Sequence, residues 1–205
     1  MAGVHWITLS NYHPFTSGSD QYNWLKSDLD SIDRTTTPWV FVNTHAPWYN
    51  TNSAHQGDGE AQRKALEPLL YGAGVDAVFT GHVHACKFRR KSTPRTKKAR
   101  PQKQTPNPNP ATPINLTDER NHRAYNNARD PKGPVYITIG DGGNREGLAS
   151  KWLAQTPVSA FRQATFGHGE LVIVNATAAH WSWHTNPDAE QQTEDDVFFI
   201  KGRDV

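Results

Sequence analysis

The sequence has little cysteine and no long apolar run, and both absences narrow the class of protein. The single cysteine, Cys86, excludes an internal disulfide. No apolar run approaches the roughly 20 residues of a membrane-spanning helix, and the first residues lack the basic stretch and apolar core of a signal peptide. These features are typical of a cytosolic protein or of a piece of a longer secreted chain. Acceptor tripeptides for N-glycosylation at Asn115 and Asn175 favour secretion.

Acidic residues are missing from residues 87–103, which carry nine lysines and arginines. The overall net charge of +2 is therefore misleading, because the rest of the chain has 13 basic and 20 acidic residues, a net charge of −7. Between Lys87 and about Glu119 large apolar side chains are also almost absent, which predicts a disordered loop. The alternative is a polyanion-binding module. We expect no nucleic-acid or membrane partner, since aromatic residues are not interleaved with these charges.

Hydrophobic patterns outside this segment predict an α/β fold. One helix is predicted after an N-cap at Ser19, with apolar residues at helical spacing (Tyr22, Leu25, Leu29, Ile32). A second helix is predicted to be capped by Asp58 and to be kinked or shortened at Pro68. Strands are predicted at Val4–Leu9, Trp39–Val42, Val75–Thr80, Val135–Ile139, Leu171–Val174, Ala178–His184 and Val197–Ile200.

Histidines follow two of the predicted strands at the point where each strand ends. His45 follows Trp39–Val42, and His82 and His84 follow Val75–Thr80 after Gly81. A right-handed crossover through the second helix would make these two strands parallel neighbours, so their carboxyl ends would share one edge of the sheet. Ligand sites of open α/β sheets lie at that edge. The spacing therefore predicts that three imidazoles converge there, a pattern that suits a metal site. The alternative is that each histidine separately fills a gap or caps a strand.

Other polar features of the C-terminal region are predicted to be structural. Trp181 and Trp183 alternate with His180, Ser182 and His184 along one strand, so the tryptophans share a face. We expect that face to pack inward and the histidines not to bind metal. The glycine-rich stretch 140–144 lacks the spacing of a phosphate-binding loop, and we interpret it as a tight turn.

The two histidine motifs resemble the last two of the five sequence blocks of the purple acid phosphatases, which are binuclear metallophosphoesterases. The matching residues are Val42-Asn43-Thr44-His45 and Gly81-His82-Val83-His84. The resemblance to the plant-type branch extends over nearly the whole chain except about residues 86–123. It includes Thr37–Val40, His45–Asn52, His55–Gly57, Gly133–Asn144 and His180–His184.

The resemblance implies an acid phosphatase that hydrolyses phosphate monoesters with an Fe(III) ion beside Zn(II), Mn(II) or Fe(II). His45 and His82 resemble ligands of the divalent ion, and His84 resembles a ligand of the ferric ion. His55 resembles the histidine that holds substrate phosphate and protonates the leaving group. Such a pair of metals activates a bound water and stabilises an in-line displacement, while a charged histidine can supply a proton.

The family's earlier motifs supply an Asp, a metal-bridging Asp with a Tyr, and an Asn with a His, and none is found here. Asp141 lies in a different motif and does not replace them. Three histidines cannot fill two coordination shells, so we expect this chain to be a C-terminal fragment or a truncated gene product. Its own activity is left open. The alternative is an inactive fragment or a non-catalytic relative that keeps one weak divalent site.

The resemblance also implies the fold and its division. The fold class is α/β, a partial metallophosphoesterase β-sandwich flanked by helices, with antiparallel C-terminal strands and a disordered insert. Residues 1–85 would be the C-terminal part of the catalytic domain, residues 86–123 the basic insert, and residues 124–205 the family's C-terminal region. A secreted or extracellular location is expected from the family.

Overall fold

The computed structural model of the chain describes residues 3–83, 118–140, 142–143, 149, 151–186 and 193–201. Five features named above lie outside the described residues, so the structure does not address the predictions made for them: His84, Cys86, the segment 87–103, Asn115 and Asp141. No helix in the described part of the chain is long and apolar enough to cross a bilayer.

Two helices and eleven strands form the described part of the chain. The helices are α1 (Asp20–Ser31) and α2 (Glu60–Gly72). The strands are β1 (Val4–Thr8), β2 (Trp39–Asn43), β3 (Ala77–Thr80), β4 (Asp118–Asn121), β5 (Ala124–Tyr125), β6 (Ala128–Arg129), β7 (Val135–Thr138), β8 (Ser159–Gln163), β9 (Gly167–Ile173), β10 (Ala178–Thr185) and β11 (Thr193–Ile200). Each strand predicted from the sequence is present, with ends shifted by a few residues, and the α/β class is confirmed.

The larger sheet has six strands in the order β1-β2-β3-β7-β4-β8. β1, β2, β3 and β7 are parallel neighbours, whereas β4 runs antiparallel to both β7 and β8. The prediction that the two histidine-bearing strands are adjacent and parallel is confirmed, because Phe41 pairs with Ala77 and Asn43 with Phe79. The strand ends that carry His45 and His82 therefore share one edge of this sheet.

The two helices cover one face of the larger sheet. Ser19 caps α1, as predicted, and its side chain accepts a hydrogen bond from the backbone N–H of Tyr22. Leu25 of α1 and Leu66 of α2 are fully buried in a cluster with the β-strand side chains of that face. The predicted cap of α2 is wrong, since the helix begins after Gly59 without a side-chain cap. α2 also continues through Pro68 instead of ending there.

The smaller sheet, in the order β11-β10-β9, is antiparallel and faces the other side of the larger sheet. Trp181 and Trp183 of β10 are buried against Trp39 and Phe41 of β2 in a second apolar cluster. This packing confirms the predicted inward face of the paired tryptophans. The two sheets form a sandwich with helices on one outer face, as the family resemblance implied.

β4 lies at the C-terminal end of the predicted insert and is part of the larger sheet. Its side chains are polar, yet Glu119 is buried and accepts hydrogen bonds from the backbone N–H and hydroxyl of Thr51 at 2.7 and 2.9 Å. Arg120 pairs with Asp195 of β11 through two hydrogen bonds. These partners allow a strand without apolar side chains to occupy an interior position.

Candidate metal centre

His45 and His82 meet at the carboxyl edge of the larger sheet. Beyond the last paired residues of β2 and β3, the backbone N–H of Thr44 donates to the carbonyl of Phe79, and that of Gly81 donates to the carbonyl of His45. These bonds keep the two chains side by side past the strand ends. The centroids of the His45 and His82 rings lie 4.5 Å apart. The predicted convergence of these two imidazoles is therefore seen in the structure.

His55 reaches the same place from the loop between β2 and α2. Its ring centroid lies 4.0 Å from that of His82. Both residues have positive φ angles, 56° for His55 and 68° for His82, in the left-handed region that non-glycine residues rarely adopt. Such backbone conformations concentrate at functional sites. These backbone conformations thus bring the side chains of His55 and His82 together from two different loops.

Asp58 joins the three histidines, and sequence reasoning did not include it in the site. Its Oδ2 atom lies 3.1 Å from Nδ1 of His55 and 3.0 Å from Nε2 of His82. Hydrogen bonds from His82 first, and then from His55, hold the pKa of the Asp58 carboxyl below its ordinary value. Asp58 therefore stays ionised to a lower pH than an aspartate without these partners. The signal that could have identified it is the His55-x-x-Asp58 spacing just before a helix.

Three of these four side chains form a group with the donor types that transition metals prefer, and His45 lies beside it against the ring of His82. The ligand atoms of His55, Asp58 and His82 lie within 4.8 Å of one another. Imidazole nitrogen and carboxylate oxygen suit zinc, iron and manganese. His45, His55 and Asp58 are exposed and His82 is half-buried, so the group is open to solvent. Among the residues that the structure describes, this group offers ligands for one ion and does not fill two coordination shells.

A buried amide network positions the backbone of His45. Oδ1 of Asn11 accepts hydrogen bonds from the backbone N–H groups of His45 and Ala46 at 2.8 and 3.0 Å. Nδ2 of Asn11 donates to Oε1 of Gln62, which is buried on α2. The hydroxyl of Thr44 lies 2.8 Å from both amide oxygens. Asn11 and Gln62 were not predicted as site residues, because no local pattern links them to His45.

The histidines of the C-terminal sheet occupy a different part of the fold. The ring centroids of His168 and His184 lie 5.5 Å apart on β9 and β10, and His180 contacts Asp196 at 2.6 Å. Their partners are thus neighbours in the smaller sheet. His84, which was predicted to join His45 and His82, lies outside the described residues.

Two protein-family models match the chain. The model described as calcineurin-like phosphoesterase matches residues 2–86, and the model described as iron/zinc purple acid phosphatase-like protein C matches residues 133–196. The structure of the purple acid phosphatase PPD1 from yellow lupin (Lupinus luteus) seeds superimposes with a TM-score of 0.71 and 19% sequence identity. The superposition covers 95% of this chain and 31% of the lupin chain, and it shows that the two share a fold. The fold and the family match place residues 2–86 in the calcineurin-like phosphoesterase class.

Curated relatives narrow this class to one family. Purple acid phosphatase 22 of Arabidopsis thaliana is 47% identical over 199 residues, which are 97% of this chain and 38% of that protein. Purple acid phosphatase 1 of Ipomoea batatas is 40% identical over 207 residues, with coverage of 97% and 38%. The chain belongs to the purple acid phosphatase family, and it spans less than half the length of these relatives.

Proposed function

We propose that this chain supplies the histidine side of a binuclear metal centre that hydrolyses phosphate monoesters. The observation that supports the proposal is the meeting of His45, His55, Asp58 and His82 at the carboxyl edge of two adjacent parallel strands. Family membership makes phosphate monoester hydrolysis the reaction to assign to this group. Because the chain spans 38% of its Arabidopsis relative, the activity of the whole protein is part of the proposal.

The donor set of the site fits the metals that the family resemblance implies. We assign His45 and His82 to the divalent ion, Zn(II), Mn(II) or Fe(II), and His84 to Fe(III). Imidazole is a preferred ligand for each of these elements. When bound, the metal pair would polarise phosphate oxygens and lower the pKa of a coordinated water. Further ligands are needed for both ions, since the group of three ligand atoms that the described residues supply contains His82 but not His45.

His55 is assigned as the group that binds the substrate phosphate and protonates the leaving group. Nδ1 of His55 faces the Asp58 carboxylate at 3.1 Å, so the Nδ1–H bond is directed to Asp58. The Nε2 atom is then the one that can carry and release a proton toward the leaving oxygen. Asp58 also contacts Nε2 of His82, so one carboxylate fixes the orientation of both rings.

The domain division, the location and a glycosylation site of the protein are proposed on the same family assignment. We retain the division into residues 1–85, 86–123 and 124–205 as a proposal, together with a secreted location. Asn175 is the glycosylation acceptor within the described residues. It lies exposed in the turn between β9 and β10. Its Oδ1 accepts hydrogen bonds from the backbone N–H groups of Thr177 and Ala178, which leaves Nδ2 of the amide for attachment.

A second candidate function is a non-catalytic relative that binds one divalent ion. The observation that favours it is the single three-residue ligand group among the described residues. Both candidate functions require that the site binds a divalent ion, but only the first requires hydrolysis of phosphate monoesters. One set of variants can therefore separate them.

The test measures Zn²⁺ binding by calorimetry and hydrolysis of 4-nitrophenyl phosphate and phenyl phosphate by the full chain. His45→Ala and His82→Ala are expected to weaken Zn²⁺ binding by more than about tenfold and to abolish hydrolysis. His55→Ala should lower kcat, by about 10²-fold or more for phenyl phosphate, whose leaving group is the poorer one, and a loss of Zn²⁺ binding in this variant would place His55 among the metal ligands instead. His180→Ala is the matched control, because His180 lies in the smaller sheet.

Each result bears on one part of the proposal. Zn²⁺ affinity that His45→Ala and His82→Ala leave unchanged would contradict the metal site. Zn²⁺ binding at the wild-type site without hydrolysis of either ester would contradict catalysis by this chain and support the non-catalytic candidate.

A further inference from the structure

One polar side chain interrupts the apolar stripe of α2. Residues 62, 66 and 70 are spaced four apart and lie on the same face of the helix. Leu66 and Leu70 are fully buried in the cluster that packs on the larger sheet. Gln62 occupies the first position of this stripe and is equally buried, with 1% of its surface exposed. Since a buried amide is costly without hydrogen-bond partners, the partners of Gln62 indicate why the stripe is polar there.

Gln62 joins α2 to three segments at the carboxyl edge of the larger sheet. Its Nε2 atom donates to the carbonyl of Ser10, after β1, at 3.0 Å. Its Oε1 atom accepts from Nδ2 of Asn11 at 2.8 Å and from Nε1 of Trp48 at 3.2 Å. The hydroxyl of Thr44, after β2, lies 2.8 Å from the same oxygen. A leucine at this position would fill the space and leave these groups without their partner.

The backbone fixes the orientation of both amides in this network. The N–H groups of His45 and Ala46 can only donate, so the atom of Asn11 that faces them is Oδ1. The carbonyl of Ser10 can only accept, so the atom of Gln62 that faces it is Nε2. Nδ2 of Asn11 then faces Oε1 of Gln62, and this central contact joins a donor to an acceptor. Reversal of either amide would place two like groups together.

The segment that carries Asn11 is also held from α1. The backbone N–H of Ser10 donates to Oε1 of Gln21 at 2.7 Å, and Nε2 of Gln21 donates back to the carbonyl of Ser10 at 3.0 Å. The carbonyl to which Gln62 donates is therefore fixed in place. Asn11 itself is half-buried in a loop, so the contact with Gln62 holds its amide in the orientation that the N–H of His45 requires.

We propose that Gln62 is a positioning residue of the candidate metal centre, which holds the backbone of His45 in place through the amide of Asn11. The inference rests on the proposed function, in which His45 binds the divalent ion. Side chains that orient metal ligands commonly change metal affinity by about 10- to 100-fold when they are replaced. The effect of Gln62 passes through Asn11, because the N–H groups of His45 and Ala46 are bonded to Asn11.

The experiment replaces Gln62 with methionine, which keeps the length of the side chain and removes its hydrogen bonds. Gln62→Met in the full chain should weaken Zn²⁺ binding, measured by calorimetry, by about tenfold or more. Without metal, the backbone N–H groups of His45 and Ala46 should exchange with deuterium faster than in the wild type. Asn11→Ala, which removes the acceptor itself, should reproduce both effects. The double variant should lose no more affinity than Asn11→Ala alone, since both changes act on one network.

Tyr136→Phe is the matched control, because it removes a buried hydrogen bond of the same helix outside this network. The hydroxyl of Tyr136 donates to Oε1 of Glu67 at 2.9 Å, and the tyrosine is 2% exposed. This variant should lower thermal stability and leave Zn²⁺ affinity unchanged. Gln62→Asn is a second variant if Gln62→Met does not fold. It keeps an amide, is too short by one methylene to reach both of its partners, and should give the same two results.

The outcomes separate this inference from the proposed function. Wild-type Zn²⁺ affinity in the Gln62 variant, or weaker binding without faster exchange at His45, would overturn the inference and leave the metal site intact. An equal loss of affinity in Tyr136→Phe, or additive losses in the double variant, would overturn it as well. Zn²⁺ affinity that His45→Ala leaves unchanged would contradict the proposed metal site and the inference together.

Discussion

At the scale of single residues, Glu119 illustrates how burial shifts the pKa of a carboxyl group in this fold. Its side chain is 1% exposed on β4. Desolvation by the surrounding protein raises the pKa of its carboxyl above the ordinary value of 4.5, and hydrogen bonds from Thr51 oppose this shift without cancelling it. The folded protein therefore holds the Glu119 proton more tightly than the unfolded chain does.

This difference predicts how stability depends on pH. Between the unfolded and folded pKa values, the folded state keeps the Glu119 proton and the unfolded state releases it, so stability falls as pH rises. The free energy of unfolding of the wild type relative to Glu119→Gln should therefore decrease from about pH 4.5 upward, by roughly 1.4 kcal/mol for each unit of pKa shift. Urea unfolding across pH 4 to 9 measures it. Glu170→Gln, at an exposed glutamate, is the control and should show no such trend, and a flat difference for Glu119→Gln would contradict the argument.

The site residues show which part of the chemistry local sequence can predict. His45 and His82 follow apolar strand segments, so their convergence could be inferred from the parallel connection alone. Asp58 was interpreted as a helix cap because an acid before an amphipathic segment is an ordinary N-terminal signal. The N-cap residue of α2 is instead Gly59. The Asp58 carboxylate instead contacts His55 and His82, and only its spacing from His55 could have indicated that role.

At the scale of elements, the start of α2 depends on a close approach of two backbones. A Cβ atom on Gly59 would lie 2.2 Å from the carbonyl oxygen of Pro47, in the loop that follows His45. The φ angle of Gly59 is −91°, which any residue can adopt. The requirement for glycine is therefore one of space. The close contact at Gly59 packs the N-terminus of α2 against the loop that runs from β2 to His55.

Gly59→Ala should consequently destabilise the protein by about 1 to 3 kcal/mol, the usual cost of overpacking. It should also weaken Zn²⁺ binding, since Asp58 is the preceding residue and would move with the displaced backbone. Gly72→Ala, at the last residue of the same helix, is a matched control, because nothing lies within 4 Å of its Cβ position. That variant should be neutral or stabilising by up to about 1 kcal/mol. Equal effects of the two substitutions on thermal unfolding and Zn²⁺ affinity would contradict this account.

Four strands were not predicted, β4, β5, β6 and β8, and the two longer ones, β4 and β8, are rich in polar residues. β4 reads Asp-Glu-Arg-Asn, and β8 reads Ser-Ala-Phe-Arg-Gln. Neither shows a regular apolar alternation, which is the main local signal of a strand. β4 is stable in the sheet because Glu119 and Arg120 find buried partners on distant residues, Thr51 and Asp195. The strands with apolar alternation were predicted correctly, since burial of their side chains is encoded locally.

At the scale of the whole molecule, a buried ion pair joins the two sheets in the described part of the chain, in addition to apolar packing. Nε of Arg120 donates to Oδ2 of Asp195 at 2.7 Å, and a second guanidinium nitrogen donates to Oδ1 at 3.0 Å. Arg120 lies on β4 of the larger sheet and Asp195 on β11 of the smaller sheet. Both side chains are almost fully buried. A two-point contact of this kind fixes the relative position of the sheets.

Removal of one partner should be far more costly than removal of both. Asp195→Asn leaves the Arg120 charge buried without its counter-ion and should lower the free energy of unfolding by about 3 to 5 kcal/mol. The double variant Arg120→Met, Asp195→Leu should lose much less, because no charge remains to be desolvated. Asp196→Asn is the control at the neighbouring position, where the carboxylate is 59% exposed in its pair with His180, and it should cost less than about 1 kcal/mol. Urea unfolding of the three variants measures these differences. A double variant as unstable as Asp195→Asn would indicate that packing volume, and not the unpaired charge, determines stability between the two sheets.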